Sequence, residues 1–256
     1  MDLRDKVIVI TGASSGFGEQ IARRCAQAGA NVVLAARSAE RLERLAAELG
    51  ADRALAAPTD VTSDAGVTRL VATTLERFGR ADVLVANAGF GVLDPITDAR
   101  IEDLQEMIDV NLYGTVRCIK AFLPDMLRRR NGQIVVMASM AGLLATANMG
   151  FYATTKHALV GMTRTLLLEL HGTGVRSALI CPGVAETGFQ QRADQAKYAR
   201  FTRLVSCTAE QVADVTVRAI QRRTHGEVIV PWYGRILDIL ATPIPGLSRF
   251  VIRLVG

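Results

Sequence analysis

The chain has few residues that could hold a metal ion or form disulfides. It contains three histidines and four cysteines, and Cys25, Cys118, Cys181 and Cys207 form no CxxC pair and have no metal-ligand spacing beside a histidine. Isolated cysteines of this kind are typical of buried, reduced thiols. We therefore predict no metal site and a cytoplasmic location.

The sequence also lacks the features of a membrane-spanning or nucleic-acid-binding protein. Its N-terminal apolar run is short and leads directly into a glycine turn, unlike a signal peptide. No apolar stretch reaches the roughly 20 residues that span a bilayer. The formal net charge is +5, but no cluster combines basic and aromatic residues as a nucleic-acid site would require.

Half of the 256 residues are hydrophobic, which is enough for the core of one large domain spanning residues 1–256. Apolar runs typical of buried strands alternate with helical patterns. The predicted strands are Lys6–Thr11, Asn31–Ala36, Arg53–Ala57, Val83–Ala86, Ile134–Met137, Val175–Ile180 and Val228–Val230. The predicted helices are Phe17–Ala28, Ala39–Leu49, Ser63–Phe78, Ile101–Arg129, Tyr152–Leu170 and Thr208–Gln221. The alternation predicts a doubly wound α/β fold with helices on both faces of a mostly parallel sheet.

The first predicted strand runs into a glycine-rich turn in which Gly12, Gly16 and Gly18 have the spacing GxxxGxG. Glycines allow the backbone to turn tightly and to approach a pyrophosphate at a helix N-terminus. An ordinary strand-to-helix turn is the alternative interpretation. The position of the turn, after the first strand of an alternating chain, favours a dinucleotide site.

From these residues onward, the chain resembles the short-chain dehydrogenase/reductase family over nearly its whole length. The matching motifs are the loop Thr11–Gly18 with Phe17 in place of the usual isoleucine, Ala86-Asn87-Ala88-Gly89 with alanine in place of the first asparagine, Asp60-Val61, Asn111, Ser139, Tyr152 with Lys156, and Pro182-Gly183 with Thr187. The resemblance implies a Rossmann-type three-layer fold with about seven strands, assembly into a homodimer or homotetramer, and interconversion of an alcohol and a carbonyl compound.

The resemblance also implies the roles of individual residues. It implies catalysis by Asn111, Ser139, Tyr152 and Lys156, with Asn111 holding a water that connects Lys156 to solvent. It implies a dinucleotide site made of Gly12, Ser14, Ser15, Gly16, Phe17, Gly18, Arg37, Ser38, Asp60, Val61, Asn87, Ala88, Gly89, Tyr152, Lys156, Pro182, Gly183 and Thr187.

The spacing of Tyr152 and Lys156 suits proton transfer. Residues four apart share a helix face. A free tyrosine has a pKa near 10, which is too high for efficient acid–base work at neutral pH. A neighbouring ammonium favours the phenolate and would lower that pKa. Taken alone, a tyrosine and a lysine at this spacing are more often a surface pair, and a serine such as Ser139 is more often a cap.

The second predicted strand indicates NADP(H) as the cofactor. Many NAD-binding proteins carry an acidic residue at the end of this strand, where it binds the ribose 2′-hydroxyl. This chain has Ala36 followed by Arg37 and Ser38, and an arginine can pair with a 2′-phosphate bidentately. We expect Ser14 to assist. A solvated loop arginine is the alternative interpretation of Arg37.

Apolar residues around the predicted site favour a hydrophobic ketone or alcohol, such as a lipid, steroid or retinoid. Substrate is expected to lie between the Met140–Met149 segment, the Phe90–Leu93 turn and the Pro182–Cys207 loop. The candidate wall residues are Met140, Leu143, Leu144, Met149, Phe189 and Phe201. The alternative is that several of them belong to the core.

Two other functions remain open. A β-ketoacyl reductase acting on carrier-bound chains would need a basic docking surface, which the charge pattern does not clearly provide. A non-catalytic NADP-binding regulator would not need the intact set of Ser139, Tyr152, Lys156 and Asn111.

The C-terminal tail, residues 231–256, combines apolar stripes with arginines. Ile236, Leu237, Ile239 and Leu240 precede two prolines, and Leu247, Phe250, Val251 and Leu254 follow them. We favour packing of this tail on the protein's own surface or on a dimer interface. The alternative is peripheral contact with a membrane, where amphipathic helices with flanking arginines can lie.

Overall fold

The computed structural model describes residues 1–185 and 206–234 and is built around one seven-stranded sheet. Its strands are β1 (Val7–Thr11), β2 (Asn31–Ala36), β3 (Ala54–Pro58), β4 (Val83–Ala86), β5 (Gly132–Met137), β6 (Val175–Pro182) and β9 (Gly226–Val230). They lie in the order β3-β2-β1-β4-β5-β6-β9, and every neighbouring pair is parallel. The predicted doubly wound Rossmann-type fold is confirmed.

The helices cover both faces of this sheet. They are α1 (Gly16–Gln27), α2 (Ala39–Leu49), α3 (Asp64–Phe78), α4 (Ile101–Met107), α5 (Gly114–Arg128), α6 (Gly150–Glu169) and α7 (Ala209–Gln221). A π-helical segment, Ile108–Tyr113, joins α4 to α5, and a 3₁₀ turn, Met140–Gly142, follows β5.

The core consists of two apolar layers because successive strand residues face opposite sides of the sheet. Along β1, Val7 and Val9 belong to the layer that α6 covers, whereas Ile8 and Ile10 belong to the layer with Ile21 of α1. All five residues of β1 are buried, as expected for a parallel strand covered on both faces. All four cysteines are buried and form no disulfide.

The predicted elements are all present, with shifts at their ends. The single predicted helix Ile101–Arg129 is correct in extent but contains the π-helical segment in its middle. Strand β5 begins two residues earlier than predicted, at Gly132. Glycine fits there because a Cβ would come within 2.5 Å of Met126 Cγ on α5.

The predicted loop Pro182–Cys207 is wrong at its two ends. Pro182 is the last residue of β6 and is in register with Val230. The short strands β7 (Val184–Ala185) and β8 (Ser206–Cys207) pair in parallel as a second sheet. Residues 186–205 lie outside the described residues, and so do the predicted site residues Thr187, Phe189 and Phe201.

The predicted tail 231–256 lies outside the described residues except for its first four. Trp232 and Tyr233 are exposed there and form an edge-to-face pair with ring centres 6.1 Å apart. Among residues 1–185 and 206–234, no helix is long and apolar enough to cross a membrane.

Candidate active site

The glycine-rich turn lies where the order of the sheet reverses, between β1 and β4. Gly12 has a φ of +67° and Gly16 a φ of +56°, which a residue with a side chain rarely adopts. A Cβ on Gly12 would lie 2.9 Å from Cα of Ala88, and a Cβ on Gly18 would collide with the Gly12 carbonyl oxygen. These glycines therefore let α1 start close against the two strand ends.

Asn87 ties the end of β4 to the end of β1. Its Nδ2 donates to the Thr11 carbonyl oxygen at 2.9 Å. The Thr11 hydroxyl in turn accepts hydrogen bonds from the backbone N–H groups of Asn87 and Ala88, each at 3.0 Å. These bonds fix the two strand ends at the crevice where doubly wound sheets bind ligands.

A cavity of about 600 Å³ occupies this crevice and continues to Tyr152 and Lys156. The predicted site residues that line it are Gly12, Ser14, Ser15, Gly16, Phe17, Arg37, Ser38, Asp60, Val61, Asn87, Ala88, Gly89, Tyr152 and Lys156. Gly18, Pro182 and Gly183 were also predicted but do not line it. Gly18 instead packs beneath the turn, and Gly183 donates to the Val230 carbonyl oxygen at 2.6 Å.

One end of the cavity is basic. Arg37, Ser38 and Arg41 line it, and Glu40, the carboxylate nearest in sequence, does not. Within the described part of the chain, neither Arg37 nor Arg41 forms an ion pair. Ser38 begins α2 without using its side chain as a helix cap. This end can therefore accept an anion.

Asp60 is held as a carboxylate beside the basic end. It accepts hydrogen bonds from the Thr62 backbone N–H at 2.9 Å and from the Thr62 hydroxyl at 2.8 Å. These bonds are the main cause that lowers the pKa of Asp60, and the charges of Arg37 and Arg117 add to the effect.

Lys156 and Tyr152 lie at the other end of the cavity, on the first turns of α6. Lys156 is 4% exposed, and its Nζ donates to the Met137 carbonyl oxygen at 3.2 Å. Burial lowers the pKa of Lys156 from 10.5 to about 8 because the charged form is disfavoured away from water. Its Nζ lies 5.7 Å from the centre of the Tyr152 ring. The pair can thus place a cation beside a phenol inside the cavity.

Asn111 is fully buried in the π-helical segment, and its amide binds the backbone next to the cavity. Its Oδ1 accepts from the Phe90 N–H and its Nδ2 donates to the Phe90 carbonyl oxygen, both at 2.9 Å. A Cβ on Gly89 would lie 2.9 Å from Asn111 Oδ1 and 3.6 Å from Lys156 Nζ. Only glycine at 89 therefore lets these side chains approach the loop.

Ser139 follows β5 and caps the 3₁₀ turn. Its Oγ accepts from the Ala141 N–H at 3.1 Å and donates to the Pro182 carbonyl oxygen at 3.5 Å. It is partly exposed but is not among the residues that line the cavity. Its role toward the substrate oxygen stays a prediction.

The residues predicted to form the substrate walls fall into two groups, those in the protein core and those near Tyr152. Met140 and Leu144 are buried in the main core layer and do not line the cavity. Met149 instead packs on a separate apolar cluster that surrounds Tyr152. The cluster consists of Leu93, Met107, Ala141 and Tyr152, with Phe90, Val92, Met149 and Phe151 against it.

Phe90 and Gly91, from the turn expected beside the substrate, also line the cavity. The lining residues that were not predicted are Ala36, Arg41, Thr59, Glu106, Val110, Met137 and Ala138. Met137 ends β5 and Ala138 follows it, and the rule that ligands bind at the carboxyl ends of parallel strands would have identified both. Arg41 lies four residues after Arg37, and this spacing would have indicated that both arginines face the same side.

Comparisons with known proteins agree with this geometry. The family model for short chain dehydrogenases matches residues 6–198. An uncharacterised oxidoreductase of Staphylococcus epidermidis is 34% identical over 226 residues, which are 88% of this chain and 95% of that protein.

Two solved structures share the fold and just under or about a third of the aligned residues. A short chain dehydrogenase/reductase from Burkholderia phymatum in complex with NAD has a TM-score of 0.86 and 30% identity, covering 97% of this chain and 96% of its own. An alcohol dehydrogenase from the archaeon Thermococcus sibiricus, complexed with 5-hydroxy-NADP, has a TM-score of 0.77 and 33% identity, covering 89% of this chain and 96% of its own. Both of these proteins hold a nicotinamide dinucleotide.

Proposed function

The chain belongs to the short chain dehydrogenase family, and from that membership we propose that it is an NADP(H)-dependent oxidoreductase that interconverts an alcohol and a ketone or aldehyde. One observation carries the proposal: a single cavity extends from the basic end, past the glycine-rich turn, to Tyr152 and Lys156. A dinucleotide that lay along it would have its pyrophosphate at the N-terminus of α1.

The residues of the cavity fit such a cofactor. The glycine-rich turn offers a backbone surface free of side chains at Gly12 and Gly16, and the basic end offers Arg37 and Arg41. When bound, the nicotinamide would supply or accept the hydride. The remaining chemistry, which is binding the substrate oxygen and moving a proton, belongs to the protein.

Tyr152 is the proposed proton donor to the carbonyl oxygen in reduction and the acceptor in oxidation. The neighbouring Lys156 cation stabilises the phenolate that remains after the proton has left. Ser139 is the proposed hydrogen-bond donor to the same oxygen, which requires its hydroxyl to turn away from the Pro182 carbonyl.

The basic end of the cavity supports NADP(H) over NAD(H). A 2′-phosphate there would meet Arg37 and Arg41 and would meet no carboxylate from residues 36–38. Charge-assisted hydrogen bonds of this kind contribute about 1.5–3 kcal/mol each. Asp60 lies at the same end, and its Oδ1 accepts both hydrogen bonds from Thr62.

The apolar cluster around Tyr152 supports a hydrophobic substrate. Leu93 and Met107 are buried members of this cluster, and Phe90, which lines the cavity, packs against it. A sugar or a charged acid would lose hydrogen bonds to water there without replacing them.

The proposal is tested by following NADPH oxidation with carbonyl compounds that range from short ketones to steroids, retinoids and acyl thioesters. We expect turnover of hydrophobic ketones or aldehydes, with a loss of at least about 100-fold in Tyr152→Phe and no loss of NADPH binding. Tyr113→Phe, at an exposed tyrosine, is the matched control. Turnover confined to acyl thioesters would favour the β-ketoacyl reductase, and absence of turnover with intact NADPH binding would favour the regulator.

A further inference from the structure

The amide of Asn111 connects three segments of the candidate site. It binds both backbone groups of Phe90, and its Nδ2 also donates to the hydroxyl of Thr155 at 3.1 Å. Phe90 is 21 residues before Asn111, and Thr155 is 44 residues after it. The side chain therefore holds the loop after β4, the π-helical segment and helix α6 at fixed positions. Such π-helical insertions are frequent at functional sites.

Thr155 has a second hydrogen bond that fixes its direction. Its hydroxyl donates to the Tyr152 carbonyl oxygen at 2.8 Å, so its only hydrogen is used. Toward Asn111 the hydroxyl can therefore only accept, which matches the N–H that Asn111 offers. Thr155 is 1% exposed, so no water molecule from bulk solvent is expected to take the place of its hydroxyl group in a variant that lacks it.

The amide oxygen of Asn111 and the Nζ of Lys156 both lie close to Gly89. Asn111 Oδ1 and Lys156 Nζ both lie within 4 Å of the position that a Cβ would occupy at Gly89. Lys156 Nζ also donates to the Met137 carbonyl oxygen, lies 5.7 Å from the centre of the Tyr152 ring and interacts electrostatically with the Cys181 thiol.

We propose that Thr155 is a positioning residue: its hydroxyl joins Asn111, which the Phe90 backbone already holds, to the turn of α6 that carries Tyr152 and Lys156, and so fixes that turn against the loop after β4. Thr155 itself does not line the cavity. Its effect on turnover rests on the proposed function, because that turn carries the proposed proton donor. Its effect on the pKa of Lys156 does not rest on the proposed function.

The test replaces the hydroxyl while keeping the shape. Thr155→Val removes both hydrogen bonds, and Thr155→Ser keeps both. The matched control is Thr163→Val on the same helix, where a buried hydroxyl donates only to the Leu159 carbonyl oxygen at 2.7 Å. If Thr155→Val does not fold, as judged by circular dichroism, Thr155→Ala replaces it as the variant without a hydroxyl.

Two quantities are measured. The first is kcat for a carbonyl substrate, with the KM for NADPH. The second is the pKa of Lys156 in the absence of cofactor, from carbon-13 NMR of labelled lysine side chains, assigned with Lys156→Met. The chain makes this feasible because its other lysines are Lys6, Lys120 and Lys197.

We expect Thr155→Val to lower kcat at least about tenfold, since small displacements of reacting groups are costly, with KM for NADPH within about threefold. The measured pKa of Lys156 should change by about half a unit or more because the turn of α6 that carries its side chain is no longer held against Asn111. Thr155→Ser and Thr163→Val should both stay near the unmutated values.

An unchanged kcat and an unchanged Lys156 pKa in Thr155→Val would overturn the proposal. An equal loss of kcat in Thr163→Val would also overturn it, and so would a Thr155→Ser variant whose kcat is as low as that of Thr155→Val. If the unmutated protein reduced no carbonyl compound, the proposed function would fail. The titration of Lys156 would still test the positioning role of Thr155.

Discussion

The Nζ atom of Lys156 lies 5.7 Å from the centre of the Tyr152 ring and donates a hydrogen bond to the Met137 carbonyl oxygen at 3.2 Å. Helix α6 and strand β5 thus hold a cation next to a phenol with almost no access to water. Desolvation of this kind destabilises the folded protein whenever Lys156 is charged.

We predict that Lys156→Met makes the protein more stable at neutral pH while it abolishes turnover. Burial lowers the pKa of Lys156 in the folded protein from 10.5 to about 8. At pH 7 both the folded and unfolded chains carry the proton, so the full cost of the buried charge is present. That cost is on the order of 3 kcal/mol for such a shift, and the methionine removes it.

The advantage of the methionine should shrink as the pH rises. Between about pH 8 and 10.5 the unfolded chain still binds a proton that the folded unmutated protein has released, so the unmutated protein gains stability with pH. Urea unfolding at pH 7 and pH 10 measures both differences. Lys120→Met, at an exposed lysine on α5, serves as the control. A variant less stable than the unmutated protein at pH 7 would contradict the prediction.

Cofactor preference should depend on two arginines. We predict a kcat/KM for NADPH at least about tenfold above that for NADH, because one charged hydrogen bond contributes about 1.5–3 kcal/mol. Arg37→Ala should remove most of this preference by weakening NADPH alone, and Arg41→Ala should remove part of it. Arg44 is on helix α2 with Arg41 but does not line the cavity, so Arg44→Ala should leave kcat/KM unchanged for both cofactors. Equal efficiency with both cofactors in the unmutated protein would refute the assignment of NADP(H).

The sequence predicts those parts of the site whose residues are close together in the chain. The loop Thr11–Gly18 and the pair Tyr152 and Lys156 depend on local spacing along a turn or a helix face, and the structure brings both to one cavity. The alternation of apolar runs and helical patterns likewise predicts the sheet, because a parallel strand needs a returning helix.

The parts that were not predicted depend on contacts between distant residues. The apolar period of Ile101–Arg129 does not reveal that its middle, Ile108–Tyr113, is π-helical. Nor does it identify Phe90 and Thr155 as partners of Asn111, since these contacts form only when three segments pack together. An apolar side chain such as Met140 fits a substrate wall and a core equally well in sequence, and only the packing distinguishes the two.

One substitution at two glycines should have opposite effects on stability. Gly161 lies inside α6 with open space around its Cβ position, so Gly161→Ala should stabilise the protein by about 0.5–1 kcal/mol. Gly18→Ala should destabilise it by about 1–3 kcal/mol, because the new methyl group would strike the Gly12 carbonyl. It should also weaken NADPH binding, because the glycine-rich turn must move. Urea unfolding and a cofactor titration check both variants, and a stabilising Gly18→Ala would contradict the packing of the turn.

The C-terminal tail gives the last prediction, and the only tryptophan of the chain is its probe. From Arg218 to Gly256 there are six arginines against Glu227 and Asp238, and Trp232, near the start of the tail, is 75% exposed. If the tail packs on the protein's own surface or on a second subunit, deletion of Pro243–Gly256 should lower the melting temperature or change the sedimentation coefficient. Anionic phosphatidylglycerol vesicles should then leave the Trp232 emission unchanged, and this is the result that we predict.

Membrane contact requires the opposite outcome. The intact protein would sediment with the vesicles at low salt, and the Trp232 emission would move to shorter wavelength as the indole enters the interface. The truncated protein would do neither, and added salt would release the intact one because arginine–headgroup attraction is screened. Neutral phosphatidylcholine vesicles are the control: binding that ignores lipid charge would point to the apolar stripe rather than to the arginines.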